Sequence, residues 1–68
     1  MSKYDKLWRA IADTNKQKIV LSFDEIKKIA EVELDHSFLT AKKELAQYGY
    51  SVDAISLKTE TVTFVKIT

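Results

Sequence analysis

Sixty-eight residues, 46% hydrophobic and 31% charged, suit one small folded domain over 1–68 and leave no room for a large substrate cavity. Eleven basic residues face ten acidic ones, a net charge of +1, which sets the chain apart from proteins that hold nucleic acid by bulk positive charge. The lack of cysteine and the single histidine, His36, exclude disulfide staples, thiolate metal sites and a multi-histidine metal cage. No apolar run nears the ~20 residues that cross a bilayer. Met1-Ser2-Lys3-Tyr4-Asp5-Lys6 lacks the apolar core of a signal peptide. The expectation is a soluble cytoplasmic protein with no cofactor, no metal, no membrane partner and no small-molecule substrate.

Ser2 followed by Asp5 predicts a helix start, with a hydroxyl cap and a carboxylate in the first turn. Tyr4, Leu7, Trp8 and Ile11 recur at i, i+3, i+4, i+7 and make one apolar stripe on helix one. Asp13-Thr14-Asn15 end it. Lys18-Ile19-Val20-Leu21 is a short β-branched strand. Ser22-Phe23-Asp24-Glu25 has the form of a capping box, with Leu21 and Ile26 placed as its hydrophobic staple. Helix two runs on through Ile29 and Ala30, and Glu31-Val32-Glu33-Leu34 connects it to helix three.

Helix three is predicted over 35–48, capped by Asp35. Leu34, Phe38, Ala41, Leu45 and Tyr48 line its core face, while Thr40, Lys43, Glu44 and Gln47 fall mainly on the opposite, wet face. Gly49 is the only glycine in a chain without proline. It takes the left-handed position that ends the helix. The hairpin 50–67 follows: Tyr50 to Leu57, a turn at Lys58-Thr59-Glu60, and the strand Thr61 to Ile67. The apolar phase slips at Ala54-Ile55, which predicts a bulge. The fold class is α+β, in the order α-β-α-α-β-β, with a three-stranded antiparallel sheet.

That order resembles winged helix-turn-helix domains. Ile29-Ala30, Val32, Leu34, the opening His36-Ser37-Phe38-Leu39-Thr40 and the close at Leu45 and Gly49-Tyr50 carry the resemblance. Over its whole length the chain is also similar to small bacterial proteins of unassigned function. The shared segments are Tyr-Asp-x-Leu (Tyr4 to Leu7), Leu-Ser-Phe-x-Glu-Ile (Leu21 to Ile26), a His-Ser helix and Val-Thr-Phe (Val62 to Phe64). The winged-helix resemblance implies that helix 35–48 is a recognition helix and the hairpin 50–67 a wing. It also departs from the usual pattern. No glycine stands in the turn before helix three, the only arginine is Arg9, and Lys58 shares the wing tip with Glu60.

On that resemblance, Ser37, Thr40, Lys43 and Gln47 are the candidates to enter a major groove, with Lys42 and Lys58 on phosphates. Double-stranded DNA is then the partner and the function regulatory. The alternative is a protein-interaction module on the same scaffold, an adaptor or a phage or mobile-element inhibitor of a host enzyme. The acidic residues Glu31, Glu33, Asp35 and Glu44 would then meet a protein partner. An enzyme is not expected: no cysteine nucleophile is present, and His36 belongs to no recognisable catalytic serine or carboxylate motif.

Overall fold

The apolar stripe of helix one becomes the floor of the core: Tyr4, Leu7, Trp8 and Ile11 are all buried. The computed structural model describes residues 3–67. Helix α1 (Asp5–Thr14) is followed by β1 (Lys18–Ser22), α2 (Phe23–Ala30) and α3 (Ser37–Ala41). A 3₁₀ segment (Lys42–Tyr48) leads to β2 (Tyr50–Ser56) and β3 (Thr61–Lys66). The architecture is α+β, with an antiparallel sheet in the order β1-β3-β2. Ile26, Phe38, Leu45, Tyr50, Val62 and Phe64 close over α1, so the helices and the inner face of the sheet share one core.

Local chemistry sets most boundaries. The Ser2 cap lies outside the described residues; Tyr4 stands at the N-cap of α1 without a side-chain capping bond. Asn15 ends α1 in the left-handed conformation at φ 53°, which asparagine tolerates better than most residues. Strand β1 runs one residue further than expected, to Ser22, which then caps α2. The capping box is complete: Ser22 Oγ accepts from Glu25 N–H at 3.1 Å, and Glu25 Oε1 accepts from Ser22 N–H at 2.9 Å. Ser22→Ala is expected to cost about 1 kcal/mol, read as a lower urea midpoint with an unchanged slope.

Two corrections concern the second half. The bulge lies between Val52 and Ala54, one residue earlier than expected, with Asp53 as the extra residue. It sets Ile55 opposite the buried Val62, which is why the apolar phase slips. Helix three is not one α-helix over 35–48. It is α over Ser37–Ala41 and 3₁₀ over Lys42–Tyr48, although Lys-Lys-Glu-Leu-Ala-Gln is a good α-helical sequence. Three residues per turn stack Leu45 and Tyr48 in one column. Leu45 is fully buried, and the Tyr48 hydroxyl donates to Asp5 Oδ1 at 2.8 Å. Packing against α1 overrides local propensity here.

Gly49 stands at φ 84° and turns the chain into β2. Gly49→Ala places a Cβ in the left-handed region and is expected to cost about 1–2 kcal/mol, measured by thermal or urea unfolding. At the other end of the hairpin, Phe23 N–H donates to the Glu60 carbonyl at 2.8 Å. Glu60 is itself left-handed at φ 54°. This bond clamps the first residue of α2 to the turn between β2 and β3.

Candidate functional site

The clamp between Phe23 and Glu60 brings the hairpin turn beside α2 and the start of α3. Between them lies an open groove of about 440 Å³. Phe23, Leu34, Phe38, Leu39, Ile55 and Leu57 form its apolar lining. Leu39 is 51% exposed, Ile55 37% and Leu57 80%. Asp24, Lys27, Glu33, Asp35 and His36 contribute its polar groups. Leu39, Ile55 and Leu57 were not among the candidate site residues. Leu39 falls off the 34-38-41-45-48 face of its helix, and Leu57 extends the apolar run into the hairpin turn. Those were the available signals.

The acidic candidates do not form an open cluster. Glu31 pairs with Lys6 at 2.7 Å, Glu33 with Lys27 at 2.9 Å and Asp35 with Lys3 at 2.8 Å. The pairs also engage three of the lysines that a phosphate backbone would need. Glu44 departs from the expected wet face: it is half-buried, and its Oε1 accepts from Trp8 Nε1 at 3.3 Å. The indole N–H needs an acceptor once the ring is buried, so Glu44 serves the core.

Asp35, expected to cap helix three, stands one residue ahead of the N-cap of α3, His36, which makes no side-chain capping bond. Asp35 Oδ1 accepts from Ser37 N–H at 2.9 Å and from the Ser37 hydroxyl. The Tyr4 hydroxyl lies 3.2 Å from Ser37 Oγ and donates to the Glu33 carbonyl at 3.3 Å. The Lys3 ammonium, followed by the Ser37 hydroxyl and amide, holds the Asp35 carboxyl far below the usual carboxylate range. Lys6 lowers Glu31, and the Ser22 amide lowers Glu25.

All three shifts have the same sign. A carboxylate whose folded value is depressed contributes stability that is complete above its ordinary pKa, 3.8 for Asp35 and 4.5 for the two glutamates. That contribution is lost as pH falls through the lower folded values. The melting temperature is therefore expected to fall on acidification below about pH 4.5, and the fall should be shallower in Asp35→Asn. Equal acid limbs for wild type and variant would contradict this assignment. On the alkaline side, Asp5 raises the Tyr48 hydroxyl above its ordinary 10.0. That contribution is complete below pH 10.0 and is lost as pH rises through the folded value.

The nucleic-acid candidates are divided by the fold. Ser37 and Thr40 line one shallow depression with Lys3, Tyr4 and Glu44, and the Ser37 hydroxyl is already committed to Asp35. Lys43 and Gln47 are exposed and Lys42 is half-buried. In an α-helix, Lys43 and Gln47 would sit about 40° apart around the axis; 3₁₀ winding moves them to about 120°. Lys58 is exposed in the hairpin turn beside Leu57. Lys42, Lys43 and Lys58 make no ion pair among the described residues. His36 stands at the N-cap of α3 and lines the groove.

No group of three His, Asp or Glu side chains that could hold a metal ion occurs among the described residues. No helix there is long and apolar enough to cross a membrane. Comparison with protein-family models, with curated proteins and with solved structures returns no match.

Proposed function

We propose that this chain is a non-catalytic protein-interaction module, an adaptor or an inhibitor, on a winged-helix-like scaffold. Its docking surface is the groove between α2, α3 and the hairpin turn. One observation carries the reading: Leu39, Ile55 and Leu57, three of the five large hydrophobic side chains left exposed among the described residues, line that one groove. Clustered exposed apolar surface bounded by polar groups is what interaction sites present, whereas scattered single residues need no explanation. A small domain with few kilocalories of net stability gains nothing by leaving such surface open unless a partner covers it.

The test is capture from native extract with wild-type protein and with Leu39→Asp/Leu57→Asp. A protein partner held by wild type and lost from the variant supports the reading. Recovery of nucleic acid alone, or equal capture by both proteins, sinks it.

The second reading is nucleic-acid binding, favoured by the lysines 42, 43 and 58 that carry no ion pair among the described residues and by the α-β-α-α-β-β order. It places Lys42 and Lys58 on phosphates, and Ser37, Thr40, Lys43 and Gln47 in the major groove of duplex DNA. Fluorescence anisotropy at low salt decides it. Lys58→Ala is then expected to weaken binding and lower its salt slope by about one. No binding to duplex or single strands at micromolar protein, with the fold intact, removes this reading.

A further inference from the structure

We propose that the segment accepted by the groove is cationic as well as apolar: a stretch of a partner protein with a few large aliphatic side chains and a lysine or arginine that meets Asp24. This rests on the docking reading above and adds the chemistry of the partner.

The inference comes from how the rim charges are spent. Among the carboxylates that line the groove, Asp35 holds Lys3 and Glu33 holds Lys27. Asp24 makes no ion pair among the described residues. It is exposed on the first turn of α2. It is not needed for the cap, because Ser22 and Glu25 complete the capping box between them. Asp24 is thus the one lining carboxylate without an ion pair among the described residues, and Lys27, on which its charge acts, is already held by Glu33.

The volume of about 440 Å³ falls in the range of pockets that enclose small groups, about 300–1,000 Å³. It has room for a few side chains, not for a folded surface. Grooves of this kind take the apolar face of an amphipathic segment, and charges at the edge choose between partners. A second copy of this chain docking groove to groove would set two Asp24 rims against each other. Like charges across an interface are unfavourable, so a basic partner segment suits the groove better than its own image.

The test uses the whole protein, ¹⁵N-labelled, titrated with two synthetic peptides that differ only in charge, one built from leucine and lysine and the other from leucine and glutamate. The leucine–lysine peptide is expected to shift the amides of Asp24, Leu39, Ile55 and Leu57 and to bind about tenfold tighter than its acidic twin. Asp24→Lys is expected to abolish or reverse that preference. Asp13→Lys makes the same change of net charge on α1, away from the groove lining, and is expected to leave the preference unchanged.

Equal affinity of the two peptides at the groove overturns the charge preference and leaves the docking reading standing. An equal response of the Asp24 and Asp13 variants overturns it as a net-charge effect. Shifts centred on Lys42 and Lys43 place the peptide elsewhere and overturn it too. So does concentration-dependent dimerisation that moves the groove amides, which would make a second copy the occupant.

Discussion

Trp8→Ala is expected to leave the chain unfolded at room temperature. Trp8 is fully buried, and its ring centroid lies 5.8 Å from those of both Tyr4 and Phe38. Truncating a buried tryptophan costs about 3–5 kcal/mol. A core of this size supplies about 3–5 kcal/mol of net stability in total, so one substitution consumes it. The loss reaches beyond the cavity. Trp8 Nε1 is the donor that engages Glu44, and Phe38 is the buried residue that seats α3 on α1. Far-UV circular dichroism is the appropriate measurement, because Trp8 is the only tryptophan and its fluorescence is lost with it. A native-like spectrum with an unchanged urea midpoint would contradict the packing described here. Trp8→Phe, which keeps most of the apolar volume and removes the Glu44 bond, is expected to fold with a lowered midpoint.

Leu39→Asp/Leu57→Asp is expected to do the opposite: keep the fold and lose the partner. The two leucines are 51% and 80% exposed, so their replacement gives up little burial within the chain. In a complex the same side chains would be covered, and full burial of a leucine is worth about 1.5–3 kcal/mol. Losing two of them, and placing carboxylates against apolar partner surface, weakens binding by roughly 10²–10⁴-fold. Equal melting temperatures with lost capture separate recognition from folding. A variant that melts early would mean that the hairpin turn packs more tightly than its exposure indicates.

The contrast between these two substitutions follows the divide between what was legible in the residues and what was not. The Tyr4-Leu7-Trp8-Ile11 stripe, the Ser22–Glu25 box and the Gly49 turn could be read directly. Each depends on side chains within a few positions of one another and on backbone preferences that act locally. The element order followed from them. The bulge was readable to within one residue, because a slip in apolar phase marks the register change without placing the extra residue.

The groove was not legible, and neither were the partners of the charges. Lys3 and Asp35 are 32 positions apart, and Lys6 and Glu31 are 25 apart. No spacing rule joins them. The residues Glu31, Glu33 and Asp35 read as an exposed acidic run because their lysines lie elsewhere in the chain. Glu44 read as solvated because its acceptor role depends on where α1 aims the Trp8 indole. Lys43 and Gln47 read as one face because their sequence favours an α-helix, while packing of Leu45 and Tyr48 imposes the tighter winding.

By itself, then, the sequence determined the α+β order, the end of α1, the start of α2, the glycine turn and most of the apolar core, through interactions that span one or two turns of chain. Only the tertiary structure decided which charges cancel, which way the last helical segment winds, and that Leu39, Ile55 and Leu57 share one groove. The physical reason is the same in each case. These features depend on which distant segments meet, and that is set by covering Tyr4, Leu7, Trp8 and Ile11 from all sides at once, a requirement of the whole core that no local pattern records.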